Sequence, residues 1–320
     1  MGEEIKELNP LGYKPVGKLL KSLAIPAIIA NLVNALYNVV DQIFIGQGIG
    51  YLGNAATNIA FPITTMCLAI GLTLGIGGAS NFNLELGKGY PEKSKHTAGT
   101  AASTLIIIGI ILCITVRIFL EPLMIGFGAT DKILEYSMEY TGITSYGIPF
   151  LLFSIGVNPL VRADGNAKYS MIAIVIGAIL NTILDPLFMF VYNWGIAGAA
   201  WATVISQIIS ALLLLIYFPK FKSVKFSLND FIPQLHYLKR IISLGFASFI
   251  YQFSNMIVLV TTNNLLKIYG KNSIYGSDIP IAVFGIVMKI NVIFIAIVLG
   301  LVQGAQPIFG FNYGAKNYHR

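Results

Sequence analysis

Eight apolar stretches dominate the chain, each long enough to cross a hydrocarbon layer of ~30 Å as a helix. They run approximately over residues 19–45, 53–84, 97–120, 134–160, 168–192, 195–218, 238–267 and 279–312. Inside a bilayer no water bonds the backbone, so such segments must satisfy their N–H and C=O groups internally, as helices. The expected fold class is an all-α polytopic membrane protein with eight transmembrane helices. Composition agrees. Hydrophobic residues make up 56% of the chain and charged residues 11%, against roughly 25% charged in soluble domains.

The charges that remain sort by side. Lys6, Lys14, Lys18, Lys21, Lys88, Lys93, Lys95, Arg162, Lys168, Lys220, Lys222, Lys225, Lys239, Arg240, Lys316 and Arg320 fall on one side of the alternating spans. Arg117, Lys132, Lys267 and Lys271 fall on the other, and Lys289 lies inside the eighth span. Cytoplasmic loops carry the excess of Lys and Arg. The N-terminus is therefore expected in the cytoplasm, with the chain in a cell (inner or plasma) membrane. The net charge of +7 reads as topology, so nucleic acid is not an expected partner. The first twenty residues lack the apolar core of a cleavable signal peptide.

Cys67 and Cys113 sit in apolar runs and read as small buried hydrophobes. His96, His236 and His319 fall in expected loops, so no structural metal site and no cofactor is expected.

A weak internal repeat runs through the spans. A shift near 227 lays "LAIGLTLGIGGAS" (68–80) over "FIAIVLGLVQGAQ" from 294, and "ELGKG" (85–89) over "NYGAK" (312–316). A shift near 220 lays "AIPAIIANL" over "SLGFASFIYQ". Span 7 would then open a second copy of the unit begun by span 1, a plan of parallel repeats known among transporters. The expected organisation is a cytoplasmic segment (1–18), a six-helix N-lobe (19–218), a cytoplasmic linker (219–236) and a partial C-lobe (237–320). The basic stretch "FPKFKSVKFSLNDFIPQLHYLKR" (218–240), with its interspersed aromatics, is expected to lie along the headgroups.

Polar groups inside the spans are costly and mark function by default. Asn31, Asn34, Asn38 and Asp41 are spaced to share one face of span 1, with Tyr37 one turn before Asp41. That stripe should face a protein cavity, and Asn34, Tyr37 and Asn38 are candidate linings of a substrate cleft. In span 5, Asn181 and Asp185 are again one turn apart, and Pro186 follows. Proline has no N–H, so the carbonyl of Thr182 loses its helical partner. These oxygens suit a small hard cation, or a proton on the carboxylate. Alternatively Asp185 is satisfied by neighbouring donors and locks helices together. Lys289 either snorkels or pairs with a carboxylate.

Three ordered signatures carry a family resemblance. "VDQIFIGQGIGYLGNAATNIAFP" (40–62), "NPLVRADGNAKYSM" (158–171) and "WGIAGAAWATVISQ" (194–207) resemble segments of the MATE (multidrug and toxic compound extrusion) transporters. The ending "GLVQGAQPIFGFNYGAKNYHR" points to the DinF/MepA-like branch. The resemblance implies a twelve-helix, two-lobe fold, of which this chain would be a C-terminally truncated form ending after span 8. It also implies a multidrug efflux antiporter that exports cationic organic compounds in exchange for Na⁺ or H⁺ by alternating access, monomeric when full length. The family's N-lobe ion site falls on Asp41, Asn158, Asn181, Asp185 and Thr203 here, with Na⁺ held by Asp41, Asn181, Asp185 and Thr203. Span 7 contains no acid, which puts a C-lobe coupling site in doubt. The alternative is a lipid-linked oligosaccharide or other lipid flippase of the same superfamily. Spans 1 to 6 hold no cavity of Lys or Arg for a pyrophosphate, which weighs against it. No prenyltransferase, metallohydrolase or Gly-x-Ser-x-Gly motif is visible, so no catalytic residues are expected and the chain is not read as an enzyme.

Overall fold

A computed structural model describes residues 9–271, 274 and 278–320. Its long helices are α1 (Val16–Gly48), α2 (Tyr51–Gly87), α3 (Pro91–Ile118), α4 (Asp131–Ala163), α5 (Ala167–Pro186), α6 (Gly195–Tyr217), α7 (Leu235–Lys271) and α8 (Asp278–Gly314). The described residues contain no strand, and seven of the helices are long and apolar enough over those residues to span a membrane. The fold is all-α and polytopic, as the length of its apolar stretches required.

Most helices overrun the apolar stretches by a turn or so, because hydropathy marks the hydrocarbon crossing while the helix continues into the headgroup layer. α3 shows why: Pro91 opens it and Glu92, Lys93 and Lys95 complete its polar first turns, and proline is preorganised for that first position. For the same reason His96 and His236 stand in the opening turns of α3 and α7, where loops were expected.

α4 is two helices, Asp131–Thr144 and Ile148–Ala163, joined by a 3₁₀ turn at Ser145–Gly147. Pro149 cannot donate to the Ser145 carbonyl, which ends the α-helical ladder there.

α2 is central and packs on α3, α4, α7 and α8. Its glycines let backbones meet: a Cβ on Gly75 would stand 2.7 Å from the Gly156 Cα in α4. Small residues serve this purpose between membrane helices, where lipid supplies no hydrophobic drive to associate.

The second half of the chain packs crosswise on the first, α8 on α1 and α7 on α2. A repeat that sends α1 to α7 and α2 to α8 turns the first pair into the second, as a two-fold relation demands. Close approaches agree residue by residue. Gly304 abuts Ala24 and Gly300 abuts Ile28, while Gly77 abuts the Ile241 carbonyl and Gly245 the Thr73 carbonyl. Gly77 and Thr73 reach Gly304 and Gly300 by the shift of 227 read from the sequence. Ala24 and Ile28, however, reach Ile241 and Gly245 by a shift of 217, not 220. Small residues recur every turn of these helices, so the sequence alignment slid by nearly one turn.

These contacts all lie towards the end where α1 begins. Towards its other end Leu36, Val39 and Ile43 of α1, Phe253 of α7 and Phe294 of α8 are exposed. The closest backbone approaches between the two parts of the chain thus cluster at one end.

Residues 218–234 join α6 to α7. Phe218 and Phe221 are buried, packed with Phe82, Phe153, Phe226 and Phe231 under the helix ends.

Candidate functional site

Asn181 and Asp185 occupy the buried face of α5, and Asp185 has no exposed surface. Pro186 ends the regular helix here. The next turn, Leu187–Val191, widens to π geometry, with the Tyr192 N–H donating to the Leu187 carbonyl. One turn back, the Thr182 hydroxyl bonds the Ala178 carbonyl. The proline therefore fixes where the carboxylate stands and loosens the helix just beyond it.

Asn181 donates through Nδ2 to Asp185 Oδ1 at 3.1 Å and to Thr203 Oγ1 of α6 at 3.4 Å. From α1, the Asp41 carboxyl comes within hydrogen-bonding reach of Asp185. Its Oδ2 accepts a 3.5 Å bond from Gln42, which also exchanges bonds with Thr57 of α2. Tyr37 stands near both carboxyl groups. Three oxygens are left over. Asp41 Oδ1, Asn181 Oδ1 and Asp185 Oδ2 are buried and find no donor among the described residues.

Two ionised carboxylates this close repel, and a proton or cation between them removes the conflict. The donor set is all oxygen, from two acids, an amide and a hydroxyl, which suits a hard cation. Asp41, Asn181, Asp185 and Thr203 fit Na⁺ on that chemistry, and the carboxyl pair equally fits a proton.

The other predicted residues part company with this group. Asn158 does not join it. Its Nδ2 donates to the Ser170 carbonyl at 3.2 Å, and its Oδ1 accepts from the Ser170 hydroxyl at 2.6 Å and from the Arg162 guanidinium. Ser170 lies eleven residues before Asn181 on α5, about 16 Å at 1.5 Å per residue. Asn158 thus belongs to a separate cluster near the opposite end of the lobe.

Beside that cluster, Asp164 turns from the α4–α5 loop and accepts from the Tyr217 hydroxyl (2.8 Å) and the backbone N–H groups of Lys222 and Ser223 (2.9 Å each). Gly165, at a φ of 85° that favours glycine, makes the loop's turn.

Asn34 and Asn38 are exposed on α1, and the Asn38 amide bonds back to the Asn34 carbonyl at 2.7 Å. Asn31, first of the stripe, instead reaches across to Gln303 of α8 at 3.3 Å. The side chain of Lys289 lies outside the described residues. Spacing alone gave no sign of Tyr140 in α4, which reaches Thr203 and stands near Tyr37, Asp41 and Asp185. It sits in the polar half of a broken helix, one turn after Tyr136, where tyrosines look like interfacial aromatics.

Comparison with known proteins extends the picture. The MatE family model matches residues 26–187. A multidrug export protein, MepA, of Staphylococcus haemolyticus is 25% identical over 301 residues, which cover 92% of this chain and 64% of the relative. The chain therefore spans less than two thirds of that relative's length. Among solved structures, a MATE transporter in complex with MaD3S superimposes with a TM-score of 0.87 at 28% identity, covering 99% of this chain and 69% of that one. An outward-facing multidrug resistance MATE transporter gives 0.85 at 28% identity, covering 99% and 68%.

Proposed function

The chain belongs to the MATE family, and on that premise we propose that it carries out multidrug efflux, exporting organic compounds, cationic ones among them, in exchange for Na⁺ or H⁺. One observation carries the coupling half of this reading. Two acids on different helices, Asp41 and Asp185, meet inside the lobe with buried oxygens that lack donors.

The cycle follows from that geometry. Asn34 and Asn38 are exposed on α1, and a substrate held in a cleft between the two halves there lies on the same face of α1 as Asp41. An ion or proton at Asp41 and Asp185 draws α1 against α5 and, through Asn181 and Thr203, α6. Occupancy shifts the conformational balance only by the difference in ion affinity between the two states. The widened turn after Pro186, together with Pro26 inside α1, supplies the points at which these helices bend. With the basic loops in the cytoplasm, the cleft opens outward and the coupling site lies in the outer half of the membrane.

Dye efflux from vesicles, driven separately by a Na⁺ gradient and a pH gradient, tests the reading. Efflux under one gradient that disappears in Asp185→Asn supports it and names the ion. Unchanged efflux in that variant removes Asp185 from the coupling site. Folded protein that moves no cationic dye under either gradient favours the flippase reading.

A further inference from the structure

Residues 218–240 present two faces of opposite character. The inward face is the buried aromatic cluster of Phe218 and Phe221, held by Asp164 at the backbone of Lys222 and Ser223 and by Asp230 at α3. The outward face carries Lys220, Lys222, Lys225, Lys239 and Arg240, all exposed. Between these cations stand apolar side chains that nothing among the described residues covers: Leu228 at 89% exposure, Ile232 at 60% and Leu235 at 67%. Leu235 and Lys239 are one turn apart and share a face of α7.

We propose that this face is a docking surface for anionic phospholipid in the leaflet that α6 leaves and α7 enters. Three features converge on that occupant. Large apolar side chains standing free beside spanning helices lower their free energy by entering the acyl boundary. The backbone beneath the linker lysines is held at Lys222 and Ser223, whose N–H groups donate to Asp164. The face also carries no counter-charge of its own, since Asp230 is the one acid between 218 and 240 and is buried. Charge complementarity thus selects a negative headgroup, and the leucines and isoleucine select a bilayer over a free anion.

The test measures phosphatidylglycerol retained by the purified full chain after solubilisation from vesicles of phosphatidylcholine mixed with phosphatidylglycerol. The variants are Lys220→Gln with Lys222→Gln and Lys225→Gln combined, Leu228→Ser, and Lys14→Gln with Lys18→Gln as a control of equal character elsewhere on the same side. Each linker lysine removed should weaken retention by about fivefold, and Leu228→Ser should weaken it as well. Phosphatidylcholine and the control pair should be unaffected, and all variants should elute as the parent does. Equal loss in the control pair, or no loss in the triple variant, overturns the proposal. So does displacement of the lipid by inorganic phosphate alone, which would mark a free-phosphate site. If the triple variant fails to fold, Leu228→Ser decides alone, since Leu228 makes none of the anchoring bonds.

Discussion

Two polar clusters lie buried in the same six helices, and they differ in how far their acid and amide oxygens are paired, although Arg162 Nε in the first also lacks an acceptor among the described residues. Near one end, Asn158 and Asp164 accept from Ser170, Arg162, Tyr217 and two backbone N–H groups, and both Asp164 oxygens are occupied. Near the other, Asp41, Asn181 and Asp185 each keep an oxygen with no donor. Buried polar atoms in folded proteins are nearly always paired. Completed pairing is what a structural joint requires, and missing pairing around two acids is what a site for a transient cation requires. On the proposed reading, one lobe holds a joint and a socket built from the same residue types.

The sharpest way to break this contrast is a pair of isosteric changes at the socket. Asp41→Asn and Asp185→Asn should each lower ion-driven dye efflux at least tenfold, while unfolding temperature in detergent moves little, because the oxygens in question support no protein bond. A large fall in unfolding temperature would make the socket a joint after all.

At the joint the expected pattern reverses. Asp164→Ala strands the Tyr217 hydroxyl and two N–H groups, and each buried donor left unpaired costs about 1–3 kcal/mol. A total loss of about 3 kcal/mol or more should appear in denaturant or thermal unfolding, with efflux per folded molecule retained. Asn158→Ala sharpens the comparison, since family resemblance places Asn158 among the ion ligands and the structure bonds it to Arg162 and Ser170. Its expected effect is a loss of about 1–3 kcal/mol with the ion dependence of efflux unaltered. A changed ion dependence would return Asn158 to the coupling site.

The socket was legible from two short patterns, Asn-x-x-Asn-x-x-x-Asn-x-x-Asp in α1 and Asn-x-x-x-Asp-Pro in α5, because helical spacing alone puts those groups on one face. The spans were legible for the same reason that any apolar run of this length is. Sequence spacing could not show that Asn158 of α4 is bonded at Ser170, about 16 Å along α5 from Asn181, since two amides in adjacent spans carry no record of their depth. Nor could it show which face of the linker is buried: Phe221 and Lys222 are neighbours in the chain and point to opposite surroundings. The repeat was legible only to within a turn, because Gly and Ala recur in these helices at the helical period and cannot index one turn against the next.

The smallest expected effect concerns the second anchor of the linker, Asp230. Burial opposes its ionisation, but the Ser227 N–H and hydroxyl outweigh it, with Lys95 and His96 beside it, and the carboxyl is held below its ordinary range. An acid whose folded pKa is depressed adds stability above its unfolded pKa and loses it as pH falls through the folded one. Unfolding temperature should thus decline on acidification into and below the ordinary carboxylate range, and Asp230→Asn should flatten part of that decline. Asp164 has its own pKa raised by burial in spite of its three donors, so its contribution runs the opposite way, weakening as pH rises through that raised value. If Asp230→Asn steepens the acid limb instead, the Lys95 and His96 contacts are not what holds the linker to α3. The anchoring would then rest on the aromatic cluster and on Asp164.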